Sequence, residues 1–415
     1  MPVREGAVRV GLLGQFGYCN FGNEASLDAV LDLLHRHGGP AVRPVVLTDA
    51  PDHVRAERGI EAVPASDRSA VRTGWRRVAA KLADIPHAWR VVGGLDAVVV
   101  PGTGILEGHA VSPFGPPFQI ALYGVVARVR RRPYLVLSVG ADRRGGRAHR
   151  LMQRTVARTA TYLSARDAGS ADALAAGARR PPEVPDLVLG LPLPEPGDGP
   201  GPGDRPLVAV GVVRYDWYAP ADERDDYADR TARLTRELVR GGVDVVLVVG
   251  DGADDSTAQD VAARIDAPDH VHVAAVGSVA ELERRLVGCR AMVAVRYHNL
   301  VGAIRTRVPV VSLGYGPKQR WLLERFGDPG RAHDVRRFDP QVVARQVLAA
   351  VADADADGVR TARALAAAQA TLAVQERRVA ALLGLAGPVA PALDAEVLDA
   401  EDLDVGAAPL AEVTE

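Results

Sequence analysis

The stretch AMVAVRYHNLVGAIRTRVPVVSLGYGPKQRWLLERFG, residues 291–327, decides the fold. Its first five residues, Ala291 to Val295, are apolar and partly β-branched, as expected of a strand buried on both faces of a parallel sheet. Arg296, His298 and Asn299 follow at once, and apolar residues then recur at helical spacing (Leu300, Val301, Ile304). A second apolar run, Val308 to Leu313, predicts the next strand. The turn Gly314-Tyr315-Gly316-Pro317 delivers Lys318, and Trp321, Leu322, Leu323 and Phe326 mark another amphipathic helix. Such alternation belongs to a parallel α/β sheet, whose ligands bind beyond the carboxyl ends of the strands. Arg296, His298 and Lys318 are therefore expected to meet in one crevice, beside helix N-termini that favour anions.

Working outward, the same alternation fills the chain on both sides of a Pro/Gly run, LPLPEPGDGPGPGDRP at residues 191–206, which can form neither helix nor strand. Residues 1–190 are expected to form one Rossmann-like domain and 207–340 a second. In the first, Val8 to Leu13 is a strand running into a glycine-rich turn and a helix from about Asn23 to His37, with Leu27, Val30, Leu31 and Leu34 as its apolar stripe. Gly14, Gly17 and Gly22 leave room for a ligand to approach the backbone, and Asn20, Asn23 and Glu24 cluster there. Pro44 to Thr48 predicts a second strand ending at Asp49. Strand, glycines, helix, strand and acid suggest a dinucleotide site, but the glycines run G-x-x-G-x-x-G (Gly11, Gly14, Gly17), which argues against NAD. Ala97 to Val100 is a strand leading to the turn Pro101-Gly102-Thr103-Gly104, with His109 in the loop beyond. A helix at Phe118 to Val129 and a strand at Tyr134 to Val139 follow. Arg166-Asp167 comes after a further short strand, and Pro185 to Leu189 is expected as the last strand of this domain.

The second domain is expected to alternate Leu207–Val213, Val243–Val249 and Val271–Val273 as strands with helices at Asp222–Arg240, Ala253–Ile265 and Val279–Val287. Gly211 and Gly250 end two of these strands and are placed on the same cleft as Arg296. From 341 to 386 the chain is alanine-rich and helical, with a break expected near Asp357-Gly358. Val359, Ala362, Leu365, Ala368 and Leu372 form a stripe that should pack back onto a domain. Residues 387–415 are acidic and poor in aromatics, the composition of a disordered tail.

Composition narrows the function. A length of 415 residues suits two domains plus extras, and a formal charge of -2 gives no reason to expect nucleic acid or an anionic membrane as partner. No apolar run is long enough to span a membrane, the N-terminus MPVREGAVRV lacks a signal-peptide core, and a cytoplasmic location is expected. Cys19 and Cys289 are expected as free buried thiols, which suits a reducing compartment. Histidines and cysteines lack metal-ligand spacing, so no metal and no cofactor are expected. Lysine occurs only at Lys81 and Lys318, all other basic residues being arginine or histidine, so a lysine in the Tyr-Gly-Pro-Lys turn draws notice as a compact charge for a phosphate.

These motifs resemble the polysaccharide pyruvyltransferase family. Phe16-Gly17-Tyr18-Cys19-Asn20-Phe21-Gly22-Asn23-Glu24-Ala25 is similar to its N-terminal Y/F-G-x-x-N-x-G-D-E-A motif, with Asn23 where aspartate is usual. Gly102-Thr103-Gly104-Ile105-Leu106 resembles a G-G-G-x-L segment, with Thr103 in place of a glycine. Ser164-Ala165-Arg166-Asp167 with Ser170 resembles S-x-R-D-x-x-S, Pro185-Asp186 a P-D segment, and Arg296-Tyr297-His298 through Tyr315-Gly316-Pro317-Lys318 the R-x-H…P-V-V…Y-x-P-K stretch. The resemblance implies a GT-B-like pair of Rossmann-like halves and transfer of pyruvate from phosphoenolpyruvate to a sugar as a ketal. On that reading Arg296 clamps the phosphoenolpyruvate anion, His298 is the general acid/base and Lys318 touches phosphate. Asn20, Asn23 and Glu24 would hold a sugar or lipid-linked glycan acceptor, and Gly102, Gly104 and Arg166 would line the cleft. A nucleotide-sugar-dependent glycosyltransferase and a catalytically idle glycan-binding member are the alternatives.

Overall fold

The structure is a computed structural model and describes residues 7–18, 20–67, 76–108, 112–175, 179–195, 204–214 and 221–385. Cys19, His109, residues 196–203 of the Pro/Gly run and the acidic tail lie outside the described residues.

The N-terminal half alternates β1 (Val8–Leu13), α1 (Phe21–Gly38), β2 (Val42–Thr48), α2 (Pro51–Arg58), β3 (Ala62–Pro64), α3 (Arg76–Gly93), β4 (Ala97–Val100), α4 (Pro116–Val129), β5 (Tyr134–Val139), α5 (Arg147–Thr159), β6 (Tyr162–Ala165) and α6 (Ala168–Leu174). Its strands pair in parallel in the order β3-β2-β1-β4-β5-β6. Alternate strand residues feed two cores: Val10, Leu12, Val99 and Leu135 pack on the α1 side, whereas Leu13, Val98, Val100 and Val136 pack under α3, α4 and α5. Asn20 caps α1 by accepting from the Asn23 amide, and Gly39, at φ +49°, follows its end.

The C-terminal half repeats the plan: β7 (Leu207–Gly211), α7 (Ala221–Arg240), β8 (Asp244–Val248), α8 (Asp255–Ala263), β9 (Val271–Val273), α9 (Val279–Leu286), β10 (Ala291–Ala294), α10 (Tyr297–Arg305), β11 (Val310–Gly314), α11 (Pro317–Phe326) and β12 (Ala332–Asp334). Its sheet is parallel in the order β12-β11-β10-β7-β8-β9. Both sheets are thus doubly wound, with order reversing between β1 and β4 and between β7 and β10. Two helices close the described chain, α12 (Pro340–Ala352) and α13 (Ala354–Leu382).

α13 leaves the second domain and returns to the first. Gln375, fully buried, places Oε1 2.5 Å from Ser164 Oγ and 3.1 Å from the Tyr162 hydroxyl, while its Nε2 donates to Ser138 Oγ. Arg36 of α1 forms a two-point ion pair with Glu376. The linker start is pinned as well. Buried Arg305 donates to the carbonyls of Val188, Leu191 and Pro192 and pairs with Glu283.

Three expectations need correction. Pro185 to Leu189 is no strand: Asp186 caps a 3-10 turn over Leu187–Gly190, and only Glu183 bridges to β6. The helix break falls at Asp353, and Asp357 is held inside α13 by Arg331 and Arg360. Val359 is 56% exposed, because the buried face of α13 runs through Asp357, Thr361, Leu365, Ala368 and Leu372.

Candidate active site at the domain seam

Each sheet's order-reversal point presents its loops to the other domain. From β1 and β4 come the turns 14–20 and 101–107; from β7 and β10 come the turns after Gly211 and Ala294. These are the positions where open α/β sheets bind ligands.

His298 sits on the first turn of α10 and crosses the seam. A Cβ built at Gly22 of α1 would lie 2.6 Å from His298 Cγ, with other ring atoms nearer, so the imidazole fills the space that glycine leaves. His298 Nε2 lies 3.7 Å from Asp186 Oδ2, an ion-pair separation too long for a hydrogen bond, and both atoms are buried without hydrogen-bond partners. Burial pushes the Asp186 carboxyl up, but His298, Arg166 and the Val188 amide outweigh it and hold it below the ordinary carboxylate range. Asp186 is therefore an ionised carboxylate beside the imidazole.

Next to this pair lies a charged chain spanning both domains. Arg166, fully buried, pairs with Glu107 through Nη2, faces Asp167 at 3.4 Å, and stacks over the Tyr297 ring at 4.4 Å. Lys318 Nζ pairs with the other Glu107 oxygen at 3.1 Å and lies 5.8 Å from the Tyr297 ring centre. Burial lowers the proton affinity of Arg166, yet Tyr297, Glu107, Asp167 and Asp186 together raise it above the ordinary value. Lys318 is likewise raised, with burial opposed by Tyr315 and Glu107. Glu107 thus holds two cations from two domains side by side. Gly104 makes room for this carboxylate, and Gly102 lets β4 and β5 approach: a Cβ there would meet the Leu137 and Ser138 carbonyls at 2.5 Å.

Arg296 takes a different place from the one expected. Its Nε and Nη2 make a bidentate pair with buried Asp254, at 2.9 and 2.7 Å, within its own domain. Asp254 also accepts from the Arg214 amide at 2.8 Å. Gly250 permits this packing, since a Cβ there would lie 2.8 Å from Arg296 Cγ. Beside it Asn299, Gln319 and Ser312 are buried with side-chain atoms that have no hydrogen-bond partner. Native proteins leave few such atoms dry, so their grouping at a sheet's order-reversal point marks a place built for polar contents.

The N-terminal trio is engaged in holding the loop. Asn20 caps α1 and reaches Asp251 of the second domain through Nδ2 at 3.2 Å. Asn23 Nδ2 donates to the Gln15 carbonyl at 3.1 Å, which the usual aspartate could not do. Glu24 accepts from the Gly17 amide at 2.6 Å and pairs with Arg58 at 2.9 Å. Glu107, Asp186, Asp254 and Tyr297 were missed as site residues. Asp186 stands inside the Pro185-Asp186 motif, whose apolar continuation reads as a strand; Asp254 carries no local signal.

A cavity of about 520 Å³ opens at the other end of α10, lined by Arg305, Arg307, Leu191, Leu193 and Leu365 among others. Arg305 stands seven residues beyond His298 on α10, a rise of about 10 Å, so the cavity is not part of the seam site. Among the described residues no group of histidine, cysteine and acidic side chains could hold a metal ion, and no helix is long and apolar enough to cross a membrane.

Solved structures with this arrangement include UDP-GlcNAc 2-epimerase from Neisseria meningitidis bound to UDP-GlcNAc, with TM-score 0.59 and 10% identity over 89% of this chain and 99% of that one. UDP-GlcNAc 2-epimerase from Methanocaldococcus jannaschii matches with TM-score 0.55 and 8% identity, covering 82% and 92%. The spinosyn rhamnosyltransferase SpnG complexed with spinosyn aglycone matches with TM-score 0.53 and 14% identity, covering 89% and 100%. At such identities the likeness shows the fold alone, a GT-B architecture of two Rossmann-like domains with a C-terminal helix crossing between them. A comparison with curated proteins gives no match. The family profile for polysaccharide pyruvyl transferases, however, aligns with residues 20–317 and so takes in α1, the turn 101–107, Arg166, Asp186, Arg296 and His298. This chain belongs to the polysaccharide pyruvyl transferase family.

Proposed function

We propose that the protein moves the pyruvyl group of phosphoenolpyruvate onto a hydroxyl pair of a sugar in a glycan or glycan precursor. The observation that carries the reading is His298, an imidazole with an unpartnered buried Nε2 beside ionised Asp186, in a seam where two cations share one carboxylate. Phosphoenolpyruvate brings a carboxylate and a phosphate, and needs several cationic donors. In this reading its anionic groups take the place of Glu107 between Arg166 and Lys318, while Arg296, neutralised by Asp254, braces the floor of the second domain.

The reaction asks for a proton on the enol carbon, so that a sugar hydroxyl can add at the neighbouring carbon. The carbon–oxygen bond to phosphate then breaks and the second hydroxyl closes the ketal. One hydroxyl proton ends on the new methyl group and the other on the released phosphate. Imidazole suits this traffic near neutral pH, and Asp186 keeps the ring oriented. Asn20, Asn23 and Glu24 order the N-terminal loop on the acceptor side, with Gly102 and Gly104 shaping its neighbour. No cofactor or metal is assigned to any step. Phosphoenolpyruvate is a cytoplasmic metabolite, so a cytoplasmic location goes with the reading.

The test is phosphate release from phosphoenolpyruvate across a panel of sugar acceptors. Release that depends on acceptor is the expected result. Nucleoside diphosphate released from a sugar donor without phosphoenolpyruvate would replace the reading with glycosyl transfer. Saturable glycan binding with no turnover would make the protein an idle binder. His298→Ala should keep phosphoenolpyruvate binding and lose turnover by about 100-fold or more, the usual scale for a general acid/base; unchanged turnover removes the imidazole from the mechanism.

A further inference from the structure

We infer that the outer face of α3, α4 and α5 docks on an anionic phospholipid bilayer. The face lies on the side of the first sheet opposite α1, and α4 packs between its two neighbours. Between Pro116 and Thr159 the chain has ten arginines and a single acidic residue, Asp142, although the whole chain is nearly neutral. Arg128, Arg131, Arg147 and Arg158 are exposed and have no ion pair or hydrogen bond from their side chains among the described residues. The helices themselves carry no exposed acid there: Asp84 of α3 is buried, and α4 and α5 have none.

Apolar side chains stand among these arginines. Of ten large hydrophobic residues exposed in the described structure, six fall on α3 to α5 or the turn before α4. Val125 and Val129, the latter 62% exposed, are one turn apart on α4; Leu151, 56% exposed, shares a stripe of α5 with Arg147, Arg154 and Arg158. Trp89, 45% exposed, lies under the Arg130 guanidinium at 4.1 Å. Single exposed hydrophobics need no explanation, but a cluster mixed with unpaired arginine does. Apolar residues with tryptophan, set among arginines and with no exposed acid on the three helices, match a surface that enters the headgroup boundary of an anionic leaflet.

Other occupants fit less well. A two-fold contact with a second copy would set arginine against arginine. Nucleic acid would leave Val125, Val129 and Leu151 without a role. The segment 386–415, with eight acidic and no basic residues, complements the charge, and the experiment separates it. The inference does not rest on the proposed reaction, because its readout is binding.

The full chain is floated with vesicles of phosphatidylcholine alone and with about a third phosphatidylglycerol. Binding to the anionic vesicles only is expected. Arg128→Glu/Arg147→Glu/Arg158→Glu should weaken it about 100-fold, at about fivefold per arginine near the surface. Val129→Ser/Leu151→Ser should weaken it about tenfold, and both variants should keep the melting temperature and turnover of the parent. Equal binding to both vesicles, no binding, or binding indifferent to the glutamates overturns the inference. Binding indifferent to the serines and competed by short duplex DNA assigns the face to polyanions in general and overturns it too. A photo-cross-linking residue at Val129 that captures residues 386–415 in the presence of vesicles gives the face to the chain's own tail.

Discussion

Gly22→Ala tests the seam most directly, because two effects of opposite sign meet at one methyl group. Glycine to alanine in a helix normally gains up to about 1 kcal/mol. At Gly22 the new Cβ would lie 2.6 Å from His298 Cγ, and nearer still to other ring atoms. Ordinary carbon contacts are about 3.5–4.0 Å, so the ring or helix α1 must move by about 1 Å. His298 has little freedom to yield: Asp186 faces its Nε2, and the Tyr297 ring stands edge-on at 5.1 Å. Overpacking of this kind costs about 1–3 kcal/mol, so the clash should exceed the propensity gain. Urea unfolding should show a net loss of up to about 2 kcal/mol once that gain is subtracted. Turnover should fall about 100-fold if a 1 Å misplacement of a reacting group has its usual effect. The decisive comparison is the same substitution in His298→Ala, where no ring remains and only the propensity gain survives. Gly22→Ala should then be neutral or stabilising. Equal stability effects in the two backgrounds would refute the contact, whatever the enzyme does.

Other outcomes follow from the same geometry. Asp186 has a lowered pKa in the folded state, so it stabilises above the ordinary carboxylate value of about 3.9 and that contribution fades as pH falls through the folded value. The deficit of Asp186→Asn in urea should therefore be largest near pH 6 and shrink toward pH 3; a deficit constant with pH would mean the carboxylate charge is not what matters. Arg305→Met strips Glu283 of its partner and three carbonyls of their donor, and should cost about 3–5 kcal/mol in urea. Adding Glu283→Leu should recover part of it, and no recovery would place the cost in the carbonyls. Gln375→Leu leaves Ser138, Ser164 and Tyr162 without their shared partner, and should speed proteolysis of α13 before the rest of the chain.

The strands were legible because buried parallel strands are short apolar runs, and AVVV at 97–100 or AMVA at 291–294 has no other use in a polar chain. The same reasoning misplaced Pro185 to Leu189. Its composition is that of a strand, but the chain bridges to the edge strand β6 only at Glu183, and an aspartate cap then turns it into a 3-10 turn. The break at Asp353 gave no local sign, since helical residues resume at once and Asp357 keeps its helical place through Arg331 and Arg360. At the site, a histidine just past a buried strand could be singled out from sequence. Its carboxylate partner could not, because Asp186 reaches it only through the packing of two domains. Arg296 and Arg166 show the same limit: both follow strands, yet one is paired inside its own domain and the other is joined to Lys318 through Glu107.

The glycines carry the most instructive reversal. From sequence, Gly14, Gly17 and Gly22 are expected to open the backbone to a ligand, but each is covered by this chain: Gly14 by Phe16, Gly17 by Ala50 and Val54, Gly22 by His298. The pattern recurs across the molecule. A Cβ at Gly140 would lie 2.7 Å from Arg166 Cζ, one at Gly169 would lie 2.6 Å from Trp321 Cζ3, and one at Gly250 would lie 2.8 Å from Arg296 Cγ. Gly22 and Gly169 stand in the first domain and admit side chains of the second; Gly140 and Gly250 admit the arginines of their own. Glycine at a strand end or on the first turn of a helix therefore sets how closely a cation, an imidazole or an indole can be drawn into the seam. That placement brings Arg166, Lys318 and His298 within one cluster although they come from two stretches of chain, one in each domain. A side chain at any of these glycines would push the cluster apart without replacing a single charged residue, so the charges depend on positions that carry no chemistry of their own.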